Sequence, residues 1–220
     1  TTGSVSYVID TDATVESADD VWTYLTASAI DGVVPNNGQF KTEVVISGSA
    51  LFGGGDSIES VTLADAAATI TGDASDTEVT VIAGENTAGE GDVVLASNTG
   101  ATTTLEDGFT YEAVAEITSV EPSSGQLNTE VLITGTALLG GGDSIETATL
   151  AGTDATISSG NDTHVAVVIK SGTAQVGTVV LVTDTGSQVT SAAKAYTQLE
   201  DGNITEVNPV KGVLGSRVTI

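Results

Sequence analysis

The chain of 220 residues contains no cysteine and a single histidine, His164. Without cysteine it has no disulfides, no thiolate nucleophile and no Cys-ligated zinc or iron–sulfur site. A Ser-His-Asp triad needs a histidine beside its nucleophile, yet His164 opens an alternating run on the face opposite Val165 and Val167. We therefore predict a solvated surface histidine and a protein that is not an enzyme.

Basic residues are also scarce, with five Lys and Arg against 30 Asp and Glu and a formal net charge of −25. Such a charge repels phosphate backbones, which excludes nucleic acid as a favoured partner. No apolar run approaches the ~18–20 residues that a membrane helix needs, so we predict no membrane insertion.

Apolar residues nevertheless make up 40% of the chain, and most are Val, Ile, Leu and Ala in short alternating runs rich in Thr. Alternation with a period of two is typical of half-buried strands, and no sustained 3.6-residue period is present. The composition predicts an all-β protein.

An internal repeat organises the chain. Pro35, Pro122 and Pro209 are each 87 residues apart, and 24 of the 39 positions in 33–71 are identical in 120–158. The segment Gly53–Glu59 recurs unchanged 87 residues later. Tandem duplication of an 87-residue unit follows.

Each unit contains roughly seven short strands at 8–12-residue spacing, which is typical of an immunoglobulin-like β-sandwich. The Pro35-x-x-Gly38 pattern predicts a turn in which glycine supplies a positive φ. Strands closed by Gly48 and Gly135 follow. The unit ends on Phe109-Thr110-Tyr111, which Trp22-Thr23-Tyr24 echoes one period earlier.

Residues 117–138, residues 150–159 and the terminal aromatic-x-Tyr pattern resemble the IPT/TIG domains. The resemblance implies tandem immunoglobulin-like sandwiches and a scaffold without chemistry of its own. Its members serve in receptors, surface proteins, polysaccharide-acting enzymes and transcription factors. One departure is Lys194-Ala195-Tyr196 in place of the aromatic-x-Tyr pair, so we expect the last strand of that copy to pack differently.

The phase of the repeat predicts two complete domains, 30–116 and 117–203. Residues 1–29 then form the C-terminal part of a preceding repeat, and residues 204–220 the start of a following one. These fragments supply 29 and 17 of 87 positions, too few to complete one another. A half-sandwich exposes apolar faces and strand edges, which indicates a segment of a longer tandem array.

Calcium is the one metal that the residues favour, because carboxylates and carbonyls are its ligands. The candidates lie in the repeated Gly-Gly-Gly-Asp segment and are Asp56, Glu59, Asp143 and Glu146. A solvated loop, or a loop contacting a neighbouring domain, is the alternative. Asp10-x-Asp12 begins like an EF-hand loop, but Val15 and Val21 replace its glycine and glutamate. No cofactor is required.

Two N-glycosylation sequons begin at Asn161 and Asn203. At a constant offset of 87 residues their equivalents in the first copy are Ala74 and Glu116, which are not sequons. Both asparagines are candidates for modification in a secreted protein, and chance occurrence in a Thr-rich chain is the alternative.

These observations favour an extracellular or cell-surface structural protein that forms a fibre, filament or stalk. Its expected partners are copies of itself or neighbouring repeats. An adhesin or receptor rod that binds carbohydrate or a surface protein is the alternative, as is an accessory region of a polysaccharide-acting enzyme.

Overall fold

The structure is a computed structural model that describes residues 1–10 and 12–220. These residues form strands, turns and loops and contain no helix, so none of them belongs to a helix able to cross a membrane. Residue 11, the middle of Asp10-x-Asp12, lies outside the described residues. The all-β prediction is confirmed, and the chain divides into two compact units, 1–112 and 113–220.

The first unit opens with a small two-part hairpin, which we call the N-terminal hairpin (residues 1–10 and 12–24). Its outer strands β1 and β4 pair antiparallel, as do its inner strands β2 and β3. The bounds are β1 Thr2–Gly3, β2 Ser6–Val8, β3 Thr14–Glu16 and β4 Trp22–Thr23.

A complete sandwich follows in the same unit. Its strands are hydrogen-bonded in the order β5-β7-β10-β9-β8-β11-β12-β6, so that β9 links the two faces, and β6 pairs with β12 in parallel. The bounds are β5 Ala29–Val34, β6 Asn37–Gly38, β7 Glu43–Ser49, β8 Ile58–Leu63, β9 Ala66–Thr71, β10 Glu78–Ile82, β11 Gly89–Ser97 and β12 Thr102–Tyr111.

The second unit holds a sandwich of the same design. One sheet has the order β13-β15-β18-β17-β16-β20-β21, and the other has the order β14-β22-β19. The bounds are β13 Glu116–Glu121, β14 Ser124–Gly125, β15 Glu130–Thr136, β16 Ile145–Leu150, β17 Thr153–Gly160, β18 His164–Ile169, β19 Gln175–Gly177, β20 Val179–Thr183, β21 Gln188–Thr190 and β22 Tyr196–Gln198.

Alternation places the apolar side chains inside each sandwich. Strand β7 buries Val44 and Ile46 completely, and the equivalent strand β15 buries Val131 and Ile133. Each unit has one continuous core of this kind. Burial of a large aliphatic side chain contributes about 1.5–3 kcal/mol, so these alternating positions hold the two faces together.

The predicted role of Gly38 was wrong. Its φ is not positive. It lies instead in β6, where a Cβ atom would stand 2.4 Å from Oγ1 of Thr42. The equivalent Gly125 would meet the Thr129 side chain at 2.6 Å. A close approach between this short strand and the turn before the next one, rather than backbone conformation, requires glycine here.

The last strand differs between the units, as expected, but the equivalent residues are not those that the sequence suggested. Gly125 pairs with Gln198 as Gly38 pairs with Tyr111. Tyr196-x-Gln198, and not Lys194-Ala195-Tyr196, therefore replaces Phe109-x-Tyr111. The edge-to-face contact of Phe109 and Tyr111, with centroids 5.1 Å apart, has no counterpart there because glutamine fills the second position.

One extra residue explains why this strand is interrupted in the second unit. The continuous β12 has four steps from Leu105 to Phe109, whereas the equivalent stretch from Ser191 to Tyr196 has five. The longer stretch leaves the ladder and separates β21 from β22. The N-terminal hairpin also has five steps, from Ser17 to Trp22, and is interrupted between β3 and β4.

Tyr196 carries a hydroxyl that the core does not satisfy. The ring is fully buried, and among the described residues its Oη has no hydrogen-bond partner. Burial raises the pKa of Tyr196, so the group stays neutral. In the first unit phenylalanine, Phe109, fills this position.

We expect Tyr196→Phe to stabilise the second unit by about 1 kcal/mol, because a buried unsatisfied polar group costs about 1–3 kcal/mol. Urea unfolding, followed by amide resonances of each unit, measures the change. The reciprocal Phe109→Tyr should destabilise the first unit. A loss of stability in Y196F would contradict the prediction.

Candidate functional site

The repeated triple-glycine segment forms a tight loop between β7 and β8, which we call the glycine loop (residues 53–55). Gly53 and Gly54 have φ values of 55° and 82°, in the left-handed region that glycine adopts without strain. Gly55 is held differently, because a Cβ atom there would stand 2.0 Å from Oδ1 of Asn98. That oxygen accepts a hydrogen bond from the amide of Asp56 at 3.1 Å.

The second glycine loop (residues 140–142) has the same construction. Gly140 and Gly141 have φ values of 55° and 87°. The carboxylate of Asp184 takes the place of Asn98 and accepts from the amide of Asp143 at 3.1 Å. The glycines of the two loops therefore meet the same backbone requirements within each unit.

The four calcium candidates lie on these loops without converging. Asp56, Glu59, Asp143 and Glu146 are all exposed, and both glutamates have already entered a strand, β8 or β16. Among the described residues no three His, Asp or Glu side chains are grouped so that they could hold a metal ion. Calcium at these residues stays a prediction.

The first sequon asparagine has a structural role. Oδ1 of Asn161 accepts hydrogen bonds from the amides of Thr163 and His164, both at 2.9 Å, and closes the turn into β18. In the first unit Oγ of Ser75 does the same for Thr77 and Glu78. The constant offset that matched Asn161 with Ala74 was therefore wrong by one residue, because the second unit is shorter before β18.

Asn203 lies outside the strands and is exposed. Asn161 is exposed as well. Their modification stays a prediction.

His164 opens β18 and is exposed, whereas Val165 and Val167 beside it are buried. Its Nδ1 lies 2.8 Å from Oγ1 of Thr163. Its equivalent, Glu78, is exposed at the start of β10. The geometry is that of a surface residue in the turn.

Sequence reasoning missed a set of hydrogen bonds made by Asp201 and Gly202, just after β22, which we call the latch. Asp201 accepts hydrogen bonds from the Ser171 hydroxyl and, at 2.9 Å, from the amide of Leu127. The amide of Gly202 donates to Oε1 of Gln126 at 2.7 Å. These bonds join the segment after β22 to two loops distant in sequence. No sequence pattern predicts these bonds, because the equivalent position in the first unit is Val114, which has no carboxylate.

The Ser171 hydroxyl, and then the Leu127 amide, hold the pKa of Asp201 below its ordinary value. A carboxyl with a depressed folded-state pKa stabilises the fold above its unfolded pKa and loses that contribution as pH falls. We expect Asp201→Ala to lower the urea midpoint of the second unit at neutral pH. The difference should shrink as pH falls below about 4, the ordinary pKa of an aspartate, and disappear once the folded carboxyl, whose pKa is lower, is protonated as well.

The first unit, which has no such carboxyl at that position, is the internal control when unfolding is followed by amide resonances of each unit. A D201A chain whose second unit keeps its native midpoint at neutral pH would contradict the latch. Ser171→Ala should reproduce part of the loss, because it removes one of the two hydrogen bonds that Asp201 accepts.

The N-terminal hairpin repeats the pairing of β11 with β12. Gly3 faces Trp22 as Gly91 faces Phe109. In the inner strands Tyr7 faces Val15, as Leu95 faces Thr103. The hairpin therefore has the same register as the last two strands of the sandwich.

The side chains of this hairpin are uncovered. Trp22 and Tyr24 keep the edge-to-face geometry of the Phe109–Tyr111 pair, with interplanar angles of 76° in both. Yet Trp22 is 55% exposed where Phe109 is fully buried. The other inward-facing residues of the hairpin are exposed too, whereas the equivalent residues of β11 and β12 are buried. These exposed residues are Val5, Tyr7, Ile9, Val15 and Tyr24.

The C-terminal segment (residues 204–220) shows the same state at the other end. Asn208 bridges Thr219, which is the pairing that Val34 makes with Val45. The four apolar residues whose equivalents lie in the cores of the units are exposed: Ile204, Val207, Val218 and Ile220.

The family model of the IPT/TIG domain matches residues 28–111 and 115–197. A comparison with curated proteins finds no match. Among solved structures, the plexin A4 extracellular region is similar with 15% identity and a TM-score of 0.50, over 83% of this chain and 16% of that one.

Two bacterial proteins are more distantly similar. The surface glycan-binding protein PbSGBP-B of Prevotella bryantii has 14% identity and a TM-score of 0.34, over 78% of this chain and 42% of its own. SGBP-B of the Bacteroides ovatus mixed-linkage glucan utilization locus has 13% identity and a TM-score of 0.33, over 90% of this chain and 52% of its own. The likeness to the plexin A4 region is one of fold alone. Because the family model matches most of the chain in two tandem copies, the chain belongs to the IPT/TIG domain family.

Proposed function

We propose that the chain is a non-catalytic, extracellular structural segment of a longer tandem array of IPT/TIG domains, which builds a cell-surface fibre, filament or stalk. The observation that carries the proposal is the state of the two end segments. The N-terminal hairpin has the strand register of a complete sandwich, the C-terminal segment has one bridge at an equivalent position, and each exposes side chains that a complete sandwich buries.

Uncovered apolar faces are unfavourable in water and prone to aggregate, and neighbouring strands of the same repeat are the surface that they fit. Residues 1–29 then belong to a preceding unit and residues 204–220 to a following one. A repeat array gains stability from contacts between neighbouring units. Self-association through further repeats is thus the favoured partnership.

The acidic surface supports an exposed, soluble array. A net charge of −25 keeps such a chain dispersed, and salt screens the repulsion over ~8–10 Å. The plexin A4 segment that shares the fold belongs to an extracellular region. A non-catalytic role fits the single histidine, which lies on the surface and bonds to a turn.

Electron microscopy of the native material that carries this chain, with and without a calcium chelator, tests the proposal. A sandwich of this size should be roughly 35–45 Å long, from strands of ~6–7 residues at ~3.3 Å each plus end loops. Long fibres with regular spacing would support the structural polymer. Dissolution by the chelator would show that the fibre requires a divalent metal ion and would support the calcium prediction for the loops that carry Asp56 and Asp143.

Discrete rods that end in a distinct globular head would overturn the polymer. Such rods would make this chain the stalk of an adhesin, a receptor or a polysaccharide-acting enzyme. Saturable binding of an oligosaccharide by the isolated chain would assign it a direct part in recognition.

A further inference from the structure

A cavity of about 690 Å³ lies in the first unit between the N-terminal hairpin and the sandwich. One wall is formed by residues 22–28, which run from the end of the hairpin to β5. The other wall is formed by Gly53 and Gly54 of the glycine loop and by residues 99–102 of the turn between β11 and β12. The residues that lead into the sandwich thus lie over its glycine loop.

The glycine loop leaves room for these residues because it lacks side chains. A Cβ atom on Gly54 would stand 2.6 Å from Cδ1 of Leu25, well inside van der Waals contact. A Cβ atom on Gly53 would meet Cβ of Ala101 at 2.6 Å and Oγ of Ser28 at 3.7 Å. The glycines therefore meet two requirements at once, a left-handed backbone and a bare surface under the linker.

We propose that the glycine loop is the docking surface for the linker, residues 25–28, and that this contact holds the preceding strands in a fixed orientation on the sandwich. The inference rests on the proposed array, in which that linker joins consecutive units. Leu25, whose side chain is otherwise 64% exposed, supplies the contact through Cδ1, and the backbone of Gly54 is the surface that it contacts. The second glycine loop has the same sequence and nearly the same φ values, so it presents the same bare backbone.

The contact also accounts for glycine at position 54 more fully than conformation does. Asparagine tolerates a positive φ, so a turn needing only that conformation accepts it. Docking of the linker excludes asparagine at position 54, because any side chain there displaces Leu25. This difference separates the two explanations experimentally.

Two variants of the whole chain test the contact between the linker and the glycine loop by ¹⁵N relaxation of the backbone amides. Gly54→Asn keeps the positive φ and fills the space of Leu25, and Leu25→Ala removes the anchor. The control is Gly72→Asn, since Gly72 has a φ of 68° and nothing within 4 Å of a Cβ atom. In the native chain and in G72N we expect the amides of the strands β1 to β4 to have order parameters near ~0.85.

In G54N and L25A the same order parameters should fall below ~0.6, while the amides of residues 30–111 keep their native values. Native order parameters for the hairpin in both variants would overturn the dock, as would an equal fall in G72N. L25A keeps the test decisive if G54N disturbs the loop itself. Microscopy of the native material tests the tandem array independently. Failure of the proposed linker contact and failure of the proposed array therefore give different results.

Discussion

Joining a copy of residues 30–88 to the front of Thr1 is expected to bury Trp22. The added residues are the strands that cover β11 and β12 in the first unit, and the N-terminal hairpin has the register of those two strands. Phe109, the equivalent of Trp22, is fully buried there. Each large apolar side chain that moves from water into such a core contributes about 1.5–3 kcal/mol, so the hairpin should gain several kcal/mol of stability.

The chain contains one tryptophan, so its fluorescence reports this burial directly. Emission should shift to shorter wavelength, and quenching by acrylamide should fall relative to the chain alone, where Trp22 is 55% exposed. The control is the same fusion with Ile46→Asp in the added copy, which places a charge in its core and should leave Trp22 accessible. Equal quenching in the fusion and in the chain alone would contradict the assignment of the hairpin to a sandwich.

Gly135→Ala and Gly48→Ala are expected to destabilise their units by about 3 kcal/mol, the upper end of the usual range for overpacking. A Cβ atom on Gly135 would stand 2.2 Å from the carbonyl oxygen of Glu116 and 2.6 Å from Cδ2 of Leu138. Gly48 has the same contacts with Ala29 and Leu51, at 2.2 and 2.7 Å. Because the nearest atom is backbone of the paired strand at a bulge, it cannot turn aside as a side chain does.

Gly89→Ala is the matched control in a strand of the first unit. Nothing lies within 4 Å of a Cβ atom at Gly89, and its φ is not positive. This substitution should be neutral or stabilising by up to about 1 kcal/mol, because alanine restricts the unfolded chain. Urea unfolding of the three variants gives the comparison, and similar midpoints for G48A and G89A would refute the bulge argument.

The architecture was predictable because it depends on patterns that repeat along the chain. Alternation of apolar residues predicted strands such as β7 and β18, and the period predicted that β15 would repeat β7. Gly48 and Gly135 were expected to close their strands, but each lies inside its strand, which continues to Ser49 in β7 and to Thr136 in β15. Periodicity of side chains and identity between copies are local properties of sequence.

What the sequence did not reveal depends on contacts between distant residues. The period of 87 hid a deletion before β18 and a compensating insertion before β22, and so matched Asn161 with Ala74 and left Gln198 unrecognised. Glycine at position 38 is required by the side chain of Thr42 rather than by φ, which no turn pattern distinguishes. The bonds of Asp201 join three segments with no sequence signature.

The latch of Asp201 bears on how a single module of this protein should be excised for biophysical work. Ending the module after Gln198, at its last strand, would remove the Asp201 carboxylate and the Gly202 amide. These groups form hydrogen bonds with Leu127 and Gln126, respectively. A boundary drawn after Gly202 retains both and still omits the exposed apolar residues from Ile204 onward. The smallest faithful module therefore ends four residues beyond its final strand.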